Sequence, residues 1–143
     1  MADFELAVAD LYRMCSQVWL ADKEFWADME QAELKHAENI HKIGKTVLEK
    51  PELFELAHPM RFVALRTSIS GIKWNMERIR KKDLSEKNMF FIARDLEQSA
   101  LEAKYAEILK TDDSDSKSLI NEVLSDTVAH RERLDEKIRK MAS

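Results

Sequence analysis

Glycine and proline are scarce in this sequence, with two of each among 143 residues. Breaks in regular helix should therefore be few. The rest of the chain is rich in Ala, Leu, Glu, Lys and Met, the residues that lose least free energy on entering a helix. The composition predicts an all-α protein, and the length predicts one domain spanning residues 1–143, large enough to bury a real core.

Cysteine is almost absent, since Cys15 is the only one. A single cysteine excludes an internal disulfide and also a four-thiolate iron or zinc site within the chain. If the protein takes part in electron transfer, we therefore expect an external electron donor. Cys15 itself falls on an apolar helical stripe, which predicts a buried, inert thiol.

Long apolar runs and a dominant charge sign are also missing. No stretch approaches the ~20 apolar residues that span a bilayer, and the first residues lack a basic, apolar leader. We expect a cytoplasmic protein with no membrane partner. The net charge is −4 with acids and bases interspersed, so no broad basic face is available for nucleic acid. The basic run 78–82 is interpreted as a solvated helix end.

Apolar residues recur at alternating spacings of three and four along most of the chain, which predicts helices. Five are expected, at about 3–20, 23–48, 60–82, 86–110 and 116–141, with Pro51 and Pro59 interrupting the second connection. Two short connections and one long one indicate two antiparallel helix hairpins joined by a crossover that contains an extra helix. This is the ferritin-like connectivity among four-helix bundles.

Five polar residues occupy inward positions of these apolar stripes: Glu5, Glu33, His36, Glu97 and His130. A carboxylate buried without a partner costs several kcal/mol, so a proton, a cation or a buried base must neutralise it. Glu33 and His36 are three residues apart and can reach one ion from the same helix face. Glutamates from neighbouring helices complete a cage of carboxylates and imidazoles that suits iron or manganese.

The sequence resembles the rubrerythrin-like branch of the ferritin-like superfamily in three stretches: ELAVADLYR (residues 5–13), FWADMEQAELKHAENI (25–40) and DLEQSALEAKYAEIL (95–109). The last helix is similar more loosely, through LINEVLSDTVAHRERL (119–134). The resemblance implies a two-iron oxidoreductase acting on peroxide, oxygen or ferrous iron. It also implies a homodimer or higher homo-oligomer.

The resemblance further implies a role for each candidate ligand. Glu5 corresponds to the terminal carboxylate of the first helix, Glu33 to the bridging carboxylate, and His36 to the nitrogen ligand of one metal. Glu97 corresponds to the carboxylate of the third bundle helix, and His130 to the nitrogen ligand of the second metal.

Tyr12 is expected beside the site, either as a redox-active group or as a buried hydroxyl bonded to a carboxylate. The last helix departs from the family pattern, because Thr127 stands where a second bridging glutamate would be. Thr127 therefore becomes a neutral neighbour of the site, and Asp126, rotated by about 100° along the helix, should point away from it.

This departure leaves three alternatives open: two metal ions in an altered ligand set, one ion at Glu5, Glu33 and His36, or a site too weak to be filled. Iron is the expected metal, with manganese or zinc as alternatives. The competing hypothesis is a metal-depleted helical bundle that serves as an oligomerisation or interaction module. No catalytic side chain beyond these residues is identified.

Overall fold

The first helix, α1 (Ala2–Val18), shows why apolar spacing determines the fold. Phe4, Val8, Leu11 and Cys15 recur at three or four residues, and all four are nearly or completely buried. The structure is a computed structural model, and it describes residues 2–56, 60–103 and 109–142.

The second helix, α2 (Lys23–Glu49), follows a short 3₁₀ turn, Leu20–Asp22, and returns along α1. Its apolar stripe contributes Trp26, Met29, Ile40 and Ile43 to the core shared with α1. The two helices form the first hairpin, and the turn between them is short enough to hold the pair antiparallel.

The third helix, α3 (Met60–Arg80), belongs to the crossover and packs mainly against α1. Leu65, Ile72 and Ile79 are buried at intervals of seven residues, so one narrow stripe of α3 makes the contact. The helix is followed by Lys82 in a left-handed conformation, φ 57°, while the Asp83 N–H bonds back to the Arg78 carbonyl at 2.8 Å.

The second hairpin consists of α4 (Glu86–Ala103) and α5 (Ser114–Ala142). Both helices begin at a side-chain cap, because Ser85 Oγ accepts from the Asn88 N–H at 3.2 Å and Asp113 Oδ2 accepts from the Ser116 N–H at 3.0 Å. Helix α5 lies antiparallel to α2, and Lys137 pairs with Asp22 at one end of this interface.

The structure confirms the all-α prediction, since helices form most of the described chain. Four of the five helices lie within two residues of the predicted bounds. Within residues 2–56, 60–103 and 109–142, none of the helices combines the length and the apolar content that crossing a bilayer requires.

The predicted helix 86–110 is wrong at its C-terminal end. Helix α4 is described as far as Ala103, residues 104–108 lie outside the described part of the chain, and Leu109–Thr111 is a strand, β2. It pairs antiparallel with β1 (Phe54–Leu56), and Thr111 Oγ1 donates to the Leu53 carbonyl at 2.7 Å. Pairing between segments 55 residues apart competes with helix here, and helical periodicity does not reveal it.

Neighbouring residues of α3 provide a test of this packing. Ile72→Ala should destabilise the protein by about 2–5 kcal/mol because Ile72 is completely buried. Gly71→Ala should instead stabilise it by about 0.4–1 kcal/mol, since an added Cβ meets no atom within 4 Å. Urea unfolding of both variants measures the two effects. A loss of stability in Gly71→Ala as large as that in Ile72→Ala would contradict the described orientation of α3.

Candidate metal centre

The five candidate ligands come from four helices and meet in the core. Glu5 lies on α1, Glu33 and His36 on α2, Glu97 on α4 and His130 on α5. Each of the five residues is at most 5% exposed. The inward positions predicted from sequence are therefore where the structure places these side chains.

Glu33 stands at the centre of the cluster, because it belongs to two groups of potential ligands. Glu5, Glu33 and His36 form one group, and Glu33, Glu97 and His130 form the other. In each group one oxygen or nitrogen from every residue lies within 4.8 Å of the others. A carboxylate with two oxygens can serve both groups at once.

The imidazoles of His36 and His130 approach Glu33 from two helices. His36 Nδ1 lies 3.4 Å from Glu33 Oε2, and His130 Nδ1 lies 3.0 Å from Glu33 Oε1. His130 Nδ1 is also 3.7 Å from Oε2 of Glu97. The two rings stack with centroids 5.5 Å apart. The two Nδ1 atoms thus approach different oxygens of the Glu33 carboxylate.

Several of these buried atoms lack a hydrogen bond of acceptable geometry, despite the short distances. They are Glu33 Oε1, His36 Nδ1 and His130 Nδ1, together with the amide nitrogen of Asn39 one turn beyond His36. Buried polar atoms are rarely left in this state, because each costs about 1–3 kcal/mol. Buried ligand-type atoms that converge without a hydrogen bond of good geometry are the arrangement expected of metal ligands.

Tyr12 and Thr127 were both predicted beside the cluster, and their hydroxyls have different hydrogen-bond acceptors. The phenol of Tyr12, completely buried, donates to Glu97 Oε1 at 2.7 Å. The hydroxyl of Thr127, also buried, donates to the Val123 carbonyl at 2.7 Å on its own helix. The Thr127 hydroxyl therefore donates to the backbone of its own helix, whereas the Tyr12 hydroxyl donates to a candidate ligand.

Asp126 was predicted to point away from the site, but it contacts one of the candidate ligands. It lies off the apolar stripe, as expected, with 43% of its side chain exposed, yet its Oδ2 is 3.1 Å from His36 Nε2. A carboxylate on the outer nitrogen of an imidazole fixes the ring and directs the other nitrogen inward. The only signal in the sequence was the antiparallel register of α2 and α5, which spacing within one helix does not give.

Interactions within the cluster move the pKa values of Glu97 and Glu33 in opposite directions. Burial and the charge of Glu33 raise the pKa of Glu97 to about 7, although His130 and Tyr12 act against this. For Glu33 itself burial also acts upward, but Glu5, His130 and His36 outweigh it and hold the pKa below its usual range. Glu33 therefore stays ionised at a lower pH than Glu97.

Both imidazoles hold protons more tightly than usual. Burial lowers the pKa of His130, but interactions with Glu33 and Glu97 raise it to about 10. Burial likewise lowers the pKa of His36, and Glu33 and Asp126 raise it above the ordinary value. Without an ion, the protonated imidazole of His130 thus provides positive charge to the carboxylates, and His36 takes up a proton more readily than a free imidazole.

The donor set fits a metal ion. Three carboxylates and two imidazoles, with converging atoms that no hydrogen bond satisfies, match the hard and borderline ligands that iron and manganese take in proteins. A divalent cation would replace the protons of His36 and His130 as the compensating charge. The described residues therefore contain buried Glu and His groups that could bind a metal.

Comparison with known proteins adds no relative to this picture. No protein-family model matches the sequence, no curated protein matches it, and no solved structure matches the fold. The resemblance to rubrerythrin-like proteins therefore depends on the residues named above.

Asp126→Asn tests the contact with His36 in metal-free protein. Loss of the Asp126 charge should lower the pKa of His36 toward its ordinary value and leave His130 unchanged, because His130 faces Glu33 and Glu97 instead. Imidazole nitrogen NMR during a pH titration resolves both residues. Glu122→Gln is the control, since Glu122 pairs with Lys35 on the same surface. An unchanged His36 pKa in Asp126→Asn would contradict the contact.

Proposed function

We propose that this protein is a ferritin-like, rubrerythrin-like non-haem iron protein, an oxidoreductase that acts on peroxide, oxygen or ferrous iron at a two-iron centre. The observation that carries the proposal is the position of Glu33 in two buried ligand groups at once. Two antiparallel hairpins joined by a crossover through α3 also agree with a ferritin-like bundle.

The ligands divide into two sets around the shared glutamate. Glu5 and His36 would hold one ion, Glu97 and His130 would hold the second, and Glu33 would bridge them. Iron is favoured by this mixture of carboxylate and imidazole, and manganese or zinc could take the same ligands.

The protein's own residues would prepare the site for this chemistry. Asp126 orients His36 from outside, and the phenol of Tyr12 donates a hydrogen bond to Glu97 Oε1, with 2.7 Å between the two oxygens. The surrounding apolar stripes keep bulk water out, which strengthens every electrostatic interaction inside. Bound ferrous iron would supply the electrons that reduce peroxide or oxygen.

An external electron donor is part of the proposal. Cys15, the only cysteine, is completely buried, and burial and the charge of Glu86 raise the pKa of its thiol. Such a thiol is a poor nucleophile and a poor metal ligand. Electrons would therefore come from another molecule. We also propose a homodimer or larger homo-oligomer, as the family resemblance implies.

A second function has one observation in its favour. Thr127 brings no charge to the cluster, and its hydroxyl is bonded to the Val123 carbonyl. The second metal position therefore keeps two carboxylates and one imidazole, as the first does, but lacks the further carboxylate that the family pattern would place at residue 127. A single-metal or metal-depleted bundle that acts as an interaction module would tolerate this difference.

Anaerobic titration with ferrous iron separates these functions. Metal-free protein should bind about two ions per chain, one for each ligand group. Glu33→Gln should remove both ions because the two groups share this carboxylate, and Glu97→Gln should remove only one. Iron analysis after gel filtration gives the stoichiometry.

Glu38→Gln is the matched control on the same helix, since Glu38 is exposed and pairs with Lys42. It should bind as much iron as the unaltered protein. No bound iron, together with a melting temperature that iron leaves unchanged, would favour the interaction module instead.

Thr127→Glu should strengthen the second position by supplying the carboxylate that Thr127 lacks. We expect a second ion where the unaltered protein holds one, or tighter binding where it already holds two, and faster peroxide turnover. Iron titration and stopped-flow peroxide consumption measure these changes. Unchanged stoichiometry and affinity would count against the ligand assignment, and Ser substitution at the same position controls for altered packing.

A further inference from the structure

A chain of aromatic rings leads from the cluster toward the surface. Tyr12, bonded to Glu97, lies 5.6 Å from Trp26 between ring centroids, and Trp26 stacks on Phe90 at 4.9 Å and 15°. Phe25, which is only partly buried, contacts both Trp26 at 5.2 Å and Phe90 at 5.8 Å. These distances are those of rings in van der Waals contact.

Two of these four rings, Tyr12 and Trp26, can be oxidised, and each donates a hydrogen bond to a carboxylate. The Tyr12 phenol donates to Glu97 Oε1 at 2.7 Å, and Trp26 Nε1 donates to Glu86 Oε1 at 3.1 Å. Glu86 is partly exposed, whereas Glu97 is 3% exposed. A phenol or an indole loses an electron more easily when a base can take its proton in the same event. Both rings therefore have the partner that such a transfer requires.

We propose that Tyr12 and Trp26 form an electron relay between the buried carboxylate and histidine cluster and the protein surface at Glu86. The relay deepens the proposed oxidoreductase function and rests on it for the oxidant, which is peroxide or oxygen held at the cluster. Packing alone explains why these rings are buried. It does not explain why each polar tip faces a carboxylate.

One transfer moves one electron in two steps. An oxidant at the cluster takes an electron from Tyr12 while the phenol proton passes to Glu97. The tyrosyl radical then takes an electron from Trp26, the proton returns from Glu97 to the phenol oxygen, and the indole proton passes to Glu86. The tryptophanyl radical then accepts one electron from a one-electron reductant of the enediol or thiol class in solution and takes its proton back from Glu86, while the reductant releases its own proton to water. This removal of the tryptophanyl radical draws the preceding step forward. The sum is one electron delivered inward for each reductant molecule oxidised.

Flash photolysis of metal-free protein tests electron exchange between Trp26 and Tyr12 without any bound iron. Because the photo-oxidant acts from solution, it drives the exchange in reverse, with the electron passing from Tyr12 to Trp26 through the same ring contact. The full chain carries three tryptophans and two tyrosines, so Trp19→Phe, Trp74→Phe and Tyr105→Phe together leave only Trp26 and Tyr12. Trp74 must be removed because it is 64% exposed and would react first. Tyr105 lies outside the described residues. A ruthenium polypyridyl photo-oxidant in solution then removes one electron from Trp26.

In this background we expect the tryptophanyl absorption to decay as the tyrosyl absorption rises, with one shared rate constant. Adding Tyr12→Phe should abolish the tyrosyl signal and lengthen the life of the tryptophanyl radical. Adding Trp26→Phe should abolish both signals. A tyrosyl radical of undiminished yield in the Trp26→Phe protein would overturn the relay, and so would a tryptophanyl radical in the background protein that never yields a tyrosyl radical.

Glu86→Gln tests the proton acceptor while keeping every ring in place. The indole proton should leave more slowly, so the radical should first show the spectrum of the protonated cation rather than that of the neutral radical. Glu24→Gln, an exposed acid two residues before Trp26, is the control and should behave like the background protein. Neutral radical forming at the same rate in Glu86→Gln would contradict the proton transfer. Because no metal is present, failure here and failure of iron binding are separate results.

Discussion

Burying three carboxylates in an apolar core is the constraint on which this structure depends. Glu5, Glu33 and Glu97 are each at most 3% exposed. An unpaired charge in such a buried position costs several kcal/mol. His36 and His130 are the buried bases that meet them, and together the five residues converge on Glu33. The apolar stripes of four helices keep this point dry, so the compensating charge must be supplied inside.

The surrounding structure can be understood as support for that point. Helix α2 provides both Glu33 and His36, and α5 adds His130 from the inside and Asp126 from the flank. Tyr12 connects the cluster to the aromatic rings of α2 and α4, where Trp26 and Phe90 fill the core beside it. A metal site and an electron path would thus share one set of packed helices, with each polar tip bonded to a carboxylate.

Much of this arrangement follows from spacing within single helices. Intervals of three and four residues were enough to predict five helices and the inward direction of all five candidate ligands, because a helix repeats every 3.6 residues. Contacts between distant segments were not predictable in this way. The approach of Asp126 to His36 depends on the register of α5 against α2, and the pairing of β1 with β2 depends on how the two connections meet. The predicted C-terminal end of α4 was wrong for the same reason.

We propose that a cation gathers these acids around Glu33. Anomalous diffraction at the iron edge, from crystals loaded with ferrous iron under anaerobic conditions, locates the ions directly. The account predicts two iron peaks, one on each side of the Glu33 carboxylate, with His36 Nδ1 and His130 Nδ1 facing different peaks. Iron bound only to surface carboxylates, with the buried cluster unchanged and free of anomalous density, would contradict it.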